Sequence, residues 1–197
     1  IFRTDLKGIL AYSTISALGI LVFLTGLGTQ EAFLAAAVFI IVHALYKATL
    51  FLVTGIIDHQ THTRDITRLS GLNKIMLPVG IAGILAAISS AGIPPTIGFV
   101  GKELTYESVV HGENLVILLS IAIVLTKILL LYAGFLAGIK PFTGKLPEEH
   151  ANVKRPGFIM WAPPLLLATL GVVFGVAPFI IESALIKPVV ESMGADA

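Results

Sequence analysis

A few side chains in this sequence carry charge where charge is costly. His43 and Lys47 stand four apart inside Ala36 to Asp58, a run that is otherwise almost wholly apolar. Residues at i and i+4 of a helix share a face, so the imidazole and the ammonium lie one turn apart on one side. Lys102, with Glu103 beside it and Glu107 one turn beyond Glu103, and Lys127, preceded by Thr126, are further cations within apolar runs. An ammonium near the centre of a bilayer costs at least about 2.5–3.5 kcal/mol on insertion scales, so it faces protein, water or a partner charge. Lysine in a low-dielectric site can gain and lose a proton near neutral pH, and histidine can relay one through water. An ion or proton pathway is the chemistry these residues support, set against the plainer reading of a core histidine. Lys102 and Glu103 point about 100° apart on a helix and need not pair with each other.

Composition decides the class of scaffold that must hold them. The chain has 197 residues, of which 56% are hydrophobic and 13% charged, with a mean hydropathy of +0.95. Such a chain is a polytopic membrane protein, so the lipid bilayer is its solvent. A formal net charge of +1 and the lack of basic runs give no sign of nucleic acid as a partner. With no cysteine, disulfides, thiolate metal sites and thiol catalysis are excluded. Asp58, His59 and His62 follow no zinc-ligand spacing, and the run from Asp58 to Arg68 reads as a solvated loop. No cofactor is expected. An intramembrane protease is poorly supported, since HExxH and a paired intramembrane acid dyad are both missing. The opening, Ile1-Phe2-Arg3-Thr4-Asp5-Leu6-Lys7, has neither an initiator Met nor a signal-peptide pattern, as expected for a piece of something longer.

The expected elements are all helical, because a lipid-exposed backbone must satisfy its polar groups internally. Gly8 to Gly28 is a first span, whose Tyr12, Ser13, Thr14 and Ser16 can bond back to helix carbonyls or to a neighbouring helix. A tight Gly26-Leu27-Gly28 turn leads into Ala36 to Asp58. The region from Ile75 to His111 is too long for one straight span and tight for two. Pro94 and Pro95 interrupt it, which points to a discontinuous helix lining a cavity, or else to an ordinary loop between two short helices. Leu115 to Ile139 is the next span, Lys140 to His150 a surface loop, and Phe158 to about Leu185 a last span kinked by Pro163, Pro164 and Pro178. The tail from Glu182 is polar and expected to fray. If Ile75 to His111 crosses once, Arg3, Lys7, Arg64, Arg68, Lys74, Lys140, Lys145, Lys154 and Arg155 share one side. The positive-inside rule would make that side cytoplasmic, whereas two crossings nearly erase the bias.

Three ordered motifs carry a resemblance. Asp5-Leu6-Lys7-Gly8-Ile9-Leu10-Ala11-Tyr12-Ser13-Thr14-Ile15-Ser16 resembles the DLKxxLAYST(x)S stretch of the large antiporter-like membrane subunits. Those are shared by respiratory complex I, membrane-bound hydrogenases and Mrp-type sodium/proton antiporters. His43 to Leu52 is similar to their HAxxKAxLF motif, and Gly98 to Glu103 to their GFxxKE/D motif. Among the branches, Gly55 to His59, Thr63 to Ile66 and Leu69 to Leu72 are most similar to the A subunit of the Mrp type. The likeness is close from Asp5 to Glu103 and loose beyond. It implies an all-α polytopic membrane fold with about six transmembrane helices, one of them discontinuous. Residues 1–139 would correspond to the second of two inverted five-helix repeats, 140–157 to a loop, and 158–197 to one additional helix with a polar tail.

The resemblance also implies roles. The lysine matching Lys47 is central to a proton path, His43 lies on its hydrated axis, and Lys102, on the broken helix, belongs to the terminal exit site with Glu103 as a neighbouring acid. Several relatives have a histidine where this chain has Phe39. The resemblance assigns Lys127 no role; a lateral contact, a snorkelling side chain and a second ion site stand as its readings. Other membrane subunits, protons and sodium would be the partners, and the cell membrane of a prokaryote the location. Three functions compete: one subunit of a sodium/proton antiporter, a proton-translocating subunit of a redox-driven complex, and a non-transporting membrane scaffold. A half-channel lacking the first repeat is not expected to transport by itself.

Overall fold

The computed structural model describes residues 3–110 and 116–181, together with 183, 184 and 188. The expected His111 and Leu115 boundaries, and nearly all of the polar tail, lie outside the described residues. The described residues form six long helices: α1 Leu6–Leu27, α2 Gln30–Thr61, α3 Leu77–Ala91, α4 Ile97–Val110, α5 Val116–Gly138 and α6 Phe158–Val176. Four of these, α1, α2, α5 and α6, are long and apolar enough to cross a membrane. Among the described residues there is no strand, only an isolated bridge between Asp5 and Asp65.

Local chemistry sets the ends. The Asp5 carboxylate accepts from the Gly8 amide at 2.7 Å and starts α1, and Gly28, at φ 70°, ends it. The Thr29 hydroxyl accepts from Ala32 at 3.2 Å and starts α2 at once. At 32 residues α2 is about 48 Å long, well beyond the roughly 30 Å of a hydrocarbon core. It therefore outruns the expected span at both ends, and Asp58 to Thr61 are helix rather than loop. The polar exit is also tied down: Lys7 pairs with Asp58 at 2.9 Å, and Arg64 with Asp5 at 3.2 Å.

α2 is the hub, packing against α1, α3, α4 and α6. α3 lies antiparallel on α5 through small residues, because a Cβ on Gly83 would come within 2.7 Å of the Gly138 carbonyl. Such contacts let membrane helices pack closely without a hydrophobic drive between them. α6 runs uninterrupted through Pro163 and Pro164 and stops at Val176, earlier than the expected Leu185 and two residues before Pro178. The outward faces of α1 and α5 carry exposed Ile15, Val22, Ile117 and Leu125.

The two halves of the region from Ile75 onward run in the same direction. Its start is fixed at the end where α2 finishes, since the Leu6 amide bonds to the Arg64 carbonyl and the Gly71 amide to the Thr143 carbonyl. α4 then runs toward the beginning of α2, with Gly101 against Val42 and Leu104 against the Ala35, Ala36 and Phe39 cluster. Both halves thus point the same way. At 15 and 14 residues, α3 and α4 are about 22 and 21 Å long, each short of a bilayer core. They are offset at Gly92 to Thr96, and Gly98 is tucked so closely beside α3 that a Cβ there would collide with the Ser89 carbonyl. α6 covers the break, with Gly175 against the Pro95 carbonyl. The helix is discontinuous, and its interruption is only partly covered: Gly92 and Thr96 to Gly98 are buried, whereas Ile93, Pro94 and Pro95 are exposed.

Candidate functional site

Lys47 is buried against α1, with 6% of its surface exposed. Its Nζ donates to the Leu10 carbonyl at 3.0 Å and to the Ser13 hydroxyl. Ser13 in turn donates to Leu10 at 2.9 Å, and Thr14 donates to the same carbonyl at 3.0 Å. Serine and threonine bond back to helix carbonyls in this way when no better acceptor is near. Here the back-bond also turns the Ser13 oxygen toward α2, where it accepts from the ammonium. Among the described residues no carboxylate lies within ion-pair distance of Lys47. Two neutral oxygens hold it, a setting in which the ammonium can release a proton without breaking an ion pair.

His43 sits one turn earlier and is half-buried. Its Nδ1 is 2.7 Å from the Tyr46 hydroxyl, and the two rings meet edge to face at 5.1 Å. Phe39 stacks on the other side of the imidazole at 6.0 Å. Tyr46, buried at 5%, was not among the expected site residues, although it lies within the run that resembles HAxxKAxLF. Ser13 likewise stood out only as a polar residue in an apolar span. Its role depends on the packing of α1 on α2, which spacing along either helix does not reveal.

The break holds the second group. Lys102 is half-buried, with Nζ 5.1 Å over the Phe99 ring and 3.8 Å from the Glu103 carboxylate. Neighbours on a helix need not pair, but this long lysine reaches back to its neighbour. Glu103 and Glu107 are both exposed on α4. A small cavity beside the break is lined by Tyr46, Ser89, Ser90, Gly92, Lys102 and Lys127. Lys127 thus faces the interior at the level of the break, its Nζ 4.6 Å over the Phe39 ring. The structure brings His43, Tyr46, Lys102 and Lys127 around one region, with Lys47 one turn along on the α1 side. Pro94 and Pro95 form the connection that offsets α3 from α4.

The far end holds structural charge. Arg68 bonds Glu149 at 2.8 Å and keeps the Glu149 carboxyl below its usual range, while Thr67 does the same to Asp65 through its backbone and hydroxyl hydrogen bonds.

Comparison with known proteins gives three kinds of match. The family described as NADH:quinone oxidoreductase/Mrp antiporter, transmembrane, matches residues 1–128. The A subunit of the Na+/H+ antiporter of Alkalihalophilus pseudofirmus is 35% identical over 97% of this chain and 27% of that protein. The chain therefore spans about a quarter of the length of the curated relative. Among solved structures, the Mrp complex from Dietzia sp. DQ12-45-1b matches with a TM-score of 0.74 and 38% identity, covering 92% of this chain and 20% of that one. Respiratory complex I from Thermus thermophilus shares the fold, with a TM-score of 0.76 at 23% identity over 96% of this chain and 39% of the other.

Proposed function

The chain belongs to the NADH:quinone oxidoreductase/Mrp antiporter transmembrane family, and on that premise we propose that it conducts protons within a membrane subunit of a sodium/proton antiporter. The path proposed is Lys102 at the helix break, then His43 with Tyr46, then Lys47, with Glu103 as the acid at the outer station. Proton movement along it is coupled to sodium export, in assembly with other membrane subunits in the cell membrane of a prokaryote. The end bearing Arg64, Arg68, Lys140 and Lys145 is cytoplasmic by the positive-inside rule.

One observation carries the reading: a buried lysine in a membrane helix held by a carbonyl and a hydroxyl, with no counter-ion among the described residues. A scaffold would gain nothing from that costly placement. The antiporter is favoured over a redox-driven pump because the 35% identical curated relative bears the antiporter name, whereas the likeness to complex I, at 23% identity, concerns the fold. The test is proton exchange in inverted vesicles carrying the whole complex, followed with a ΔpH-sensitive dye as sodium is added. Sodium-dependent collapse of the gradient in wild type and its loss in Lys47→Ala is the expected result. No sodium response in wild type points to the redox-driven pump or the scaffold. A response that survives Lys47→Ala removes Lys47 from the path.

A further inference from the structure

Lys127 is the buried charge that this path does not use. The antiparallel packing of α5 on α3 places Gly134 against Ser90 and Ala87, so Lys127, about two turns earlier on α5, has its backbone about 10 Å past the end of α3, beside the break. There it shares with Lys102, Tyr46, Ser89 and Ser90 a cavity with room for about one water molecule. Ser89 is 4% exposed and its hydroxyl has no hydrogen-bond partner among the described residues. An orphaned buried hydroxyl beside such a cavity marks a place for water. No carboxylate lies within ion-pair distance of Lys127 among the described residues. Its close neighbour is the Phe39 ring, whose face attracts the ammonium form.

We propose that Lys127 is a protonatable station coupled to Lys102, the two side chains lining one water-sized cavity and passing a proton between them. The step balances simply. One N–H bond of the Lys102 ammonium breaks as its proton goes to the bridging water, the water gives a proton to the free amine of Lys127, and the total charge of the pair stays at one. Both ammonium forms together are disfavoured by their mutual repulsion. The groups facing the cavity are few. α4 brings Lys102, with Glu103 behind it, and α2 brings Tyr46, bonded to His43. α3 brings only the hydroxyls of Ser89 and Ser90, while Tyr12 of α1 and Arg3 ahead of it line a separate groove and Lys7 of α1 pairs with Asp58. This inference rests on the proton-path reading above.

The experiment compares the whole complex in inverted vesicles as wild type, Lys127→Met, Lys127→Arg and Lys47→Met, measuring sodium-dependent proton exchange across pH. Lys127→Met is expected to slow exchange about tenfold and to move the alkaline limb up by about one pH unit, the size of a close like-charge effect. Lys127→Arg keeps a cation over Phe39 but cannot release its proton, so it is expected to be slow with the limb near its wild-type position. A wild-type rate and profile in Lys127→Arg, alongside a dead Lys47→Met, overturns the station while leaving the path intact. Exchange that survives Lys47→Met overturns the path reading itself. If Lys127→Met does not assemble, the Arg variant decides alone, because a wild-type rate with a fixed charge rules out proton transfer at this position.

Discussion

Ser13→Ala removes one of the two oxygens that hold Lys47 while leaving the helix and its packing almost unchanged. The Ser13 hydroxyl accepts from the ammonium and donates to the Leu10 carbonyl. Leu10 keeps its Thr14 and Lys47 donors in the variant, so the loss falls on Lys47. A hydrogen bond to a charged group contributes about 1.5–3 kcal/mol. Ser13 also lines a groove of about 180 Å³ between α1 and α5, from which water can take over part of that bond, so the lower end applies. At about 1.4 kcal/mol per factor of ten, the charged state of Lys47 should become about tenfold less populated relative to the neutral one. The assay is sodium-dependent proton exchange in vesicles, normalised to assembled complex, with Ser13→Thr as the control that keeps a hydroxyl. Exchange should fall about tenfold in Ser13→Ala and be largely retained in Ser13→Thr, with equal amounts of complex. An unchanged rate in Ser13→Ala at wild-type abundance would show that proton exchange does not depend on the contact of Ser13 with Lys47.

Other outcomes follow from the same geometry. Gly138→Val should lower the thermal stability of the purified complex by about 1–3 kcal/mol, the usual cost of overpacking, since a Cβ at this glycine would collide with the Gly83 carbonyl; an unchanged melting temperature would mean that α3 and α5 separate freely. Asp58→Asn should cost at most about 1 kcal/mol, because its pair with Lys7 is substantially exposed, and the cost should shrink in high salt when melting is followed. The Glu149 carboxyl is held low by Arg68, so this loop contact is fully present above the ordinary glutamate range, about 4.3, and is lost as pH falls through the lower folded value. Hydrogen exchange of the Gly71 amide, which bonds to Thr143, should therefore speed up in Arg68→Ala at neutral pH, and in wild type only under acid conditions.

Much of the architecture was legible along the chain because membrane helices obey local rules. Apolar length sets a span, Gly and Asp or Thr set its ends, and the Pro94-Pro95 pair breaks one, whereas Pro163 and Pro164 near the start of α6 do not. Those rules placed α1, α2 and α5 and the interruption at Pro94, and they singled out Lys47, His43, Lys102 and Lys127 by the cost of charge in lipid. They misplaced the end of α2, because Asp58 to Thr61 look like loop until Lys7 and Arg64 are seen bonding around them. They also left the crossing number open. Two short helices and one offset helix have the same sequence pattern, and only the contacts of Gly101 with Val42 and of Gly98 with Ser89 show that both halves run in one direction.

Hydropathy, capping and proline effects act between near neighbours, so they alone mark an all-helical membrane chain with cations inside its apolar runs. What those cations touch follows from helix packing. Lys47 meets Ser13 and Leu10 from another helix, Tyr46 turns from a packing residue into the partner of His43, and Lys127 faces the cavity of Lys102 because α5 lies on α3. The contacts of Lys47 and Lys127 join residues far apart in the chain, and their energies depend on distances that no local periodicity encodes.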